Sequence, residues 1–118
     1  MRRLTGIAVS ITLVALGARA QDATGGADSH EGQTIAVHVC ATCHVASPEQ
    51  SGPPILQPPA PSFRSIANRP GVTAESLRTF VLTTHTSLKS PHDMPNPQLS
   101  GDQATAVAGY ILSLRKGH

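Results

Sequence analysis

The sequence predicts an all-α protein of three to four short helices. Apolar residues recur at three- and four-residue spacing behind capping residues, and nowhere do they alternate with the period of two that a half-buried strand requires. Prolines gather in two runs that no helix can cross, and these runs separate the helical stretches from one another. No internal repeat is visible, so the helices belong to a single domain.

Residues 1–20 have the character of an export signal. Arg2 and Arg3 give a positive start, the stretch from Ile7 to Leu16 is almost wholly apolar, and Ala18-Arg19-Ala20 places small residues where a signal peptidase needs them. A bilayer span needs about 18 or more apolar residues, and Arg19 interrupts this run early. The expected product begins at Gln21, carries no membrane span, and is periplasmic. Its charge balance also changes. Of the nine Lys and Arg residues, Arg2, Arg3 and Arg19 leave, so seven acidic residues face six basic ones. The basic character of the whole chain therefore argues for no nucleic-acid partner.

Residues 21–27 are small and polar and read as a flexible leader, and 28–118 as the folded domain. Asp28, with Glu31 three residues on, is the expected N-cap of a first helix from Ser29 to about Thr42. Six prolines between Ser47 and Pro61 then define a stiff loop. Ser62 to about Asn68, with Phe63, Ile66 and Ala67 at helical spacing, forms a short second helix that stops before Pro70. Thr73 caps a third, with Glu75 in its first turn and Leu77, Phe80 and Val81 on one face. A second proline-punctuated loop, Ser90 to Pro97, surrounds Met94. Ser100 and Gln103 make a capping box for the last helix, whose Ala104, Val107, Ala108, Ile111 and Leu112 form the apolar stripe.

The core available to these helices is thin. There are two Phe, one Tyr and no Trp, and a domain of this size buries a limited share of its surface. A cofactor supplying several hundred Å² of apolar contact would add on the order of 10 kcal/mol at about 25 cal/mol/Å². That is comparable with the whole net stability of an ordinary domain.

Cys40-Ala41-Thr42-Cys43-His44 is the stretch that carries chemistry. Its CxxCH spacing is the signature of haem c attachment. At a helix end, residues i, i+3 and i+4 share a face, so two thiols can add to the two vinyl groups on one porphyrin edge while the imidazole reaches the iron. Three other readings fit the same five residues. A plain disulfide suits an exported chain. A thioredoxin-like redox pair would want a βαβ setting, which is lacking. Zinc, with His85 or His92 as a further ligand, would ordinarily show a second paired cluster. Two features support haem. Gly52-Pro53 follows the histidine, and the Pro53 carbonyl can hold its Nδ1 hydrogen. Met94, the one methionine besides Met1, sits in a loop rather than on a helical stripe, as a thioether ligand to the iron would. His85 is the rival axial group and His92 a weaker one; His30, His38 and His118 read as solvent-facing.

Taken together, the mature sequence resembles the bacterial monohaem class I cytochromes c. The matching pieces are Gly32 and Ala36 ahead of the CxxCH, then Gly52-Pro53, Ala60-Pro61-Ser62-Phe63, Met94-Pro95, and Tyr110-Ile111 with Leu114. The resemblance implies short helices wrapped around one covalently bound haem, with the first and last crossing closely where Gly32 and Ala36 meet Tyr110 and Leu114. It implies His44 and Met94 as axial ligands and single-electron transfer with redox protein partners, with no enzymatic reaction and a monomeric carrier. Two rival functions remain: a haem enzyme or small-ligand sensor with an exchangeable iron site, and a haem subunit of a dehydrogenase or oxidase. Relatives often bond a haem propionate through a Trp; here Arg64, Arg69 or Arg78 would serve instead.

Overall fold

The computed structural model describes residues 23–83 and 93–116, with side chains from Ser29 onward. Four α-helices follow in order: α1 (Ala23–Ile35), α2 (Phe63–Ala67), α3 (Ala74–Leu82) and α4 (Gly101–Ser113). The described residues contain no strand; a lone parallel bridge pairs His44 with Ala60.

Three of the helix starts lie where capping chemistry puts them. Ser62 accepts the Ser65 N–H at the head of α2. Thr73 with Ser76, and Ser100 with Gln103, form reciprocal capping boxes on α3 and α4. Each satisfies amide donors that would otherwise be orphaned in the first turn. α1 is the exception. It begins at Ala23, inside the expected leader, and Asp28 lies within it rather than capping it. Gly25 and Gly26 cost about 1 kcal/mol each relative to Ala, but neither they nor any neighbour is a proline that would force a stop.

The far end of α1 also departs from expectation. The helix does not run regularly to Thr42 but loosens into a π-helical segment, Ala36–Cys40. Such segments are rare and often lie beside functional residues.

α4 is the central element. Its Ala104, Val107, Ala108 and Ile111 are buried as the stripe predicted, Leu112 is only partly buried, and Ala106 and Tyr110 join the core. α1 crosses it at Gly32, where a Cβ would sit 2.1 Å from the Ala106 carbonyl oxygen and 2.8 Å from the Tyr110 Cβ. The predicted close crossing is thus real and glycine-dependent, and Ala36, one turn on, is fully buried. From the other side, α3 buries Leu77 and Val81 but leaves Phe80 exposed, contrary to the single face expected for all three. α2 contributes Phe63 and Ala67 to the core. Arg115, just beyond α4, ties these parts together: its Nε donates to the Ala67 carbonyl at 2.8 Å and a terminal nitrogen donates to the Val72 carbonyl.

Candidate functional site

The CxxCH turn follows the π-helical segment directly. The Cys40 carbonyl accepts the N–H of both Cys43, at 3.1 Å, and His44, at 3.0 Å. This tight closure sets the two cysteines and the histidine on one turn. The proline-rich loop then returns alongside it. Thr42 C=O accepts from Ile55 (3.0 Å) and Leu56 (3.1 Å), Cys43 C=O from Ala60 (2.9 Å), and Val45 C=O from Phe63 (3.0 Å).

That register determines the environment of His44. Its Nδ1 lies 2.7 Å from the Pro61 carbonyl oxygen. A carbonyl can only accept, so Nδ1 carries the hydrogen and Nε2 keeps its lone pair for a metal. His44 is 9% exposed, and the Phe63 ring packs on its imidazole with centroids 5.3 Å apart and planes at 51°. Pro53, the acceptor expected from the sequence, is exposed at the rim of a surface groove. Its assignment to His44 is corrected to Pro61. Both prolines offer a rigid carbonyl with no N–H of its own, and only the Cys43–Ala60 and Val45–Phe63 pairing decides which one reaches the ring.

The backbone after His44 is held as firmly. Ala46 N–H donates to Gln50 Oε1 at 2.9 Å. The Ala46 carbonyl accepts from the buried Tyr110 hydroxyl at 3.1 Å. Sequence reasoning placed Tyr110 at the helix crossing but missed this bond, because nothing local links residues 64 positions apart. Tyr110→Phe should lower stability by about 1–2 kcal/mol, the cost of leaving the buried Ala46 carbonyl unpaired. Urea unfolding of the two proteins checks this, and equal midpoints would refute it.

Cys40 and Cys43 are not joined to each other as a disulfide. Burial, and secondarily the neighbouring Cys43, push the Cys40 thiol up to about 11, so it is neutral at physiological pH. Among the described residues no three His, Cys, Asp or Glu side chains converge as a metal-binding group. Cys40, Cys43 and His44 therefore share a turn without forming a chelating set, an arrangement suited to gripping the edge of a flat ring. Apolar surface is available for such a ring: Val39, next to Cys40, is 44% exposed, and Leu56, bonded to Thr42, is 40% exposed.

Met94 is half-buried in the irregular segment that leads into α4. Asn96 Oδ1 accepts the Gln98 N–H at 2.8 Å there, and Gln98 takes a left-handed φ of 55°. His85 and His92 lie outside the described residues, as do His118 and residues 1–20. His30 and His38 are exposed, as expected. Of the three arginines considered for a propionate, Arg78 is engaged by α4, its Nε donating to Thr105 Oγ1 at 3.2 Å; Arg64 and Arg69 are exposed.

A small helical fold whose first helix leads through a π-helical segment into a turn that carries two cysteines not bridged to each other, followed by a buried imidazole whose Nδ1 is bonded to a backbone carbonyl, defines a class: proteins that carry a covalently attached haem. The sequence profile of the family described as cytochrome c matches residues 29–115. The chain belongs to the cytochrome c family, as a class I monohaem member that transfers electrons through haem c. It is similar to "Cytochrome c-552" of Bradyrhizobium diazoefficiens, with 35% identity over 105 residues covering 89% of this chain and 92% of that one. No solved structure matches it.

Proposed function

We propose that this protein is a periplasmic single-electron carrier. In this reading residues 1–20 are removed on export, and the domain beginning at residue 28 holds one haem through thioether bonds to Cys40 and Cys43. His44 Nε2 and the Met94 sulfur would be the two protein ligands to the iron. The haem supplies the redox centre, an iron that cycles between the ferric and ferrous states.

The bond from His44 Nδ1 to the Pro61 carbonyl carries the proposal. It fixes the ring orientation and raises the basicity of Nε2, as the outer partners of metal-bound histidines do. Phe63, packed on the ring, keeps water away from it. With Met94 as a second ligand beside His44, a thioether would raise the potential of the couple, and two protein ligands would leave the iron no position for a substrate. The protein so described performs no bond chemistry. It docks transiently as a monomer with redox proteins. Among the described residues no helix is long and apolar enough to cross a membrane.

The test is expression with a haem-attachment system and export to the periplasm. The purified protein should begin at Gln21, retain haem on a denaturing gel, and show the ferric thioether-to-iron absorption band. Met94→Ala should abolish that band and lower the reduction potential. Rapid binding of carbon monoxide by the unsubstituted ferrous protein would instead indicate an exchangeable iron site, and hence a sensor or enzyme.

A further inference from the structure

α2 is too short to hold itself in place. Its five residues, Phe63–Ala67, fall well below the length at which backbone hydrogen bonds alone sustain a helix. Yet it carries the ring that packs on His44, and it starts two residues after the carbonyl that faces His44 Nδ1. Its first residue is tied to the neighbour of His44, the Phe63 N–H donating to the Val45 carbonyl. Its last residue is tied elsewhere, to Arg115.

Ala67 has no exposed surface, so its carbonyl, at a helix end that lacks internal partners, is out of reach of bulk water. Arg115 Nε donates to it at 2.8 Å, and a terminal nitrogen of the same guanidinium donates to the Val72 carbonyl. Gly71, at a φ of 75°, turns the chain so that this second carbonyl returns to the same side chain. Arg115 itself stays exposed, so the two bonds form without burying a charge. Beside it, the Lys116 N–H donates to Asn68 Oδ1 at 3.3 Å, and Asn68 Nδ2 donates to the Arg64 carbonyl at 2.7 Å. The chain leaving α4 thus holds the far end of α2, as Val45 holds the near end.

We propose that Arg115 is a positioning residue for the haem-binding imidazole: by fixing the end of α2 it holds Phe63 and the Pro61 carbonyl against His44, and so sets the strength of the Nδ1 hydrogen bond. The proposal rests on the reading that His44 binds the haem iron. Reaching the carbonyls of Ala67 and Val72 from one planar group is a task for arginine, since a lysine ammonium is a point charge without that fork.

The experiment is proton NMR of the reduced, haem-loaded protein, following solvent exchange of the His44 Nδ1 hydrogen, together with the reduction potential by voltammetry. Arg115→Ala should speed that exchange by about tenfold or more, the order expected when one hydrogen bond from a charged group is lost. It should also raise the potential, because a less basic Nε2 stabilises ferric iron less. Arg115→Lys should stay closer to Arg115→Ala than to the parent, and it carries the test if the alanine variant does not fold. Leu77→Val, a large-to-small change at a buried position of α3, should lower the unfolding midpoint and leave the potential where it was. Unchanged exchange and potential in Arg115→Ala, with only stability lost, would overturn the proposal. So would full recovery by lysine, or equal shifts in Leu77→Val. In the unsubstituted protein, His44 ring protons without the shift that a porphyrin ring current imposes on an axial ligand would defeat the parent reading instead, so the two failures are distinct.

Discussion

Replacing Cys40 and Cys43 together by serine should leave a chain that fails to unfold cooperatively, because it will have lost both its permanent hold on the haem and much of its core. Among the described residues nine buried ones make up the central cluster, and four of these are alanines: Ala36, Ala46, Ala67 and Ala108. Alanine offers a single methyl to the interior, so helix-on-helix contact contributes far less here than a leucine-rich core would. The haem's contribution is on the order of 10 kcal/mol by apolar area, against a net stability of about 5–15 kcal/mol for a typical domain. The balance should therefore reverse when the haem is gone. Far-UV circular dichroism with heating would show a broad, low-amplitude change in place of a sigmoidal transition. A double variant that is fully helical, haem-free and cooperative would show that the polypeptide packs its own core.

Among the glycines whose surroundings are described, Gly32→Ala should be the most damaging methyl addition. The new Cβ would lie 2.1 Å from the Ala106 carbonyl oxygen and 2.6 Å from its carbon. These are backbone atoms of a neighbouring helix and cannot rotate aside as a side-chain tip could. α1 and α4 would have to separate, at an overpacking cost of about 1–3 kcal/mol or more. That outweighs the gain of about 1 kcal/mol that Ala brings over Gly in a helix. The separation would also move the π-helical segment after α1, which bears Cys40. Urea unfolding of the haem-loaded variant should show a clearly lower midpoint; a midpoint equal to or above that of the parent would mean that the crossing has slack. Gly109, on α4, is the natural control, because a Cβ there meets nothing within 4 Å, and Gly109→Ala should be neutral or mildly stabilising.

The structure followed the sequence most closely where interactions span a few residues. Ser62, Thr73 and Ser100 cap their helices because a side-chain oxygen three residues before an amide reaches it whatever the rest of the chain does. The face of α4 was legible for the same reason, since helical periodicity alone groups Ala104, Val107, Ala108 and Ile111. Phe80 shows where that reasoning thins: it shares the spacing of Leu77 and Val81 but lies at the edge of the stripe, and the neighbour on that edge is a tertiary matter.

The amino-acid order by itself thus determined the helical class, three of the four helix caps and the CxxCH spacing, all consequences of spacing along one turn or one helix face, while the close crossing at Gly32 followed from the resemblance to class I cytochromes c. Only the folded chain decided that Pro61 rather than Pro53 holds the His44 ring, that Tyr110 anchors the Ala46 carbonyl, and that α1 ends in a π-helical segment. Several prolines offered an equivalent carbonyl, and the choice among them fell to the register in which a distant loop pairs with the turn. Such a register is a balance of many weak contacts across the whole domain, and no short stretch of residues encodes it.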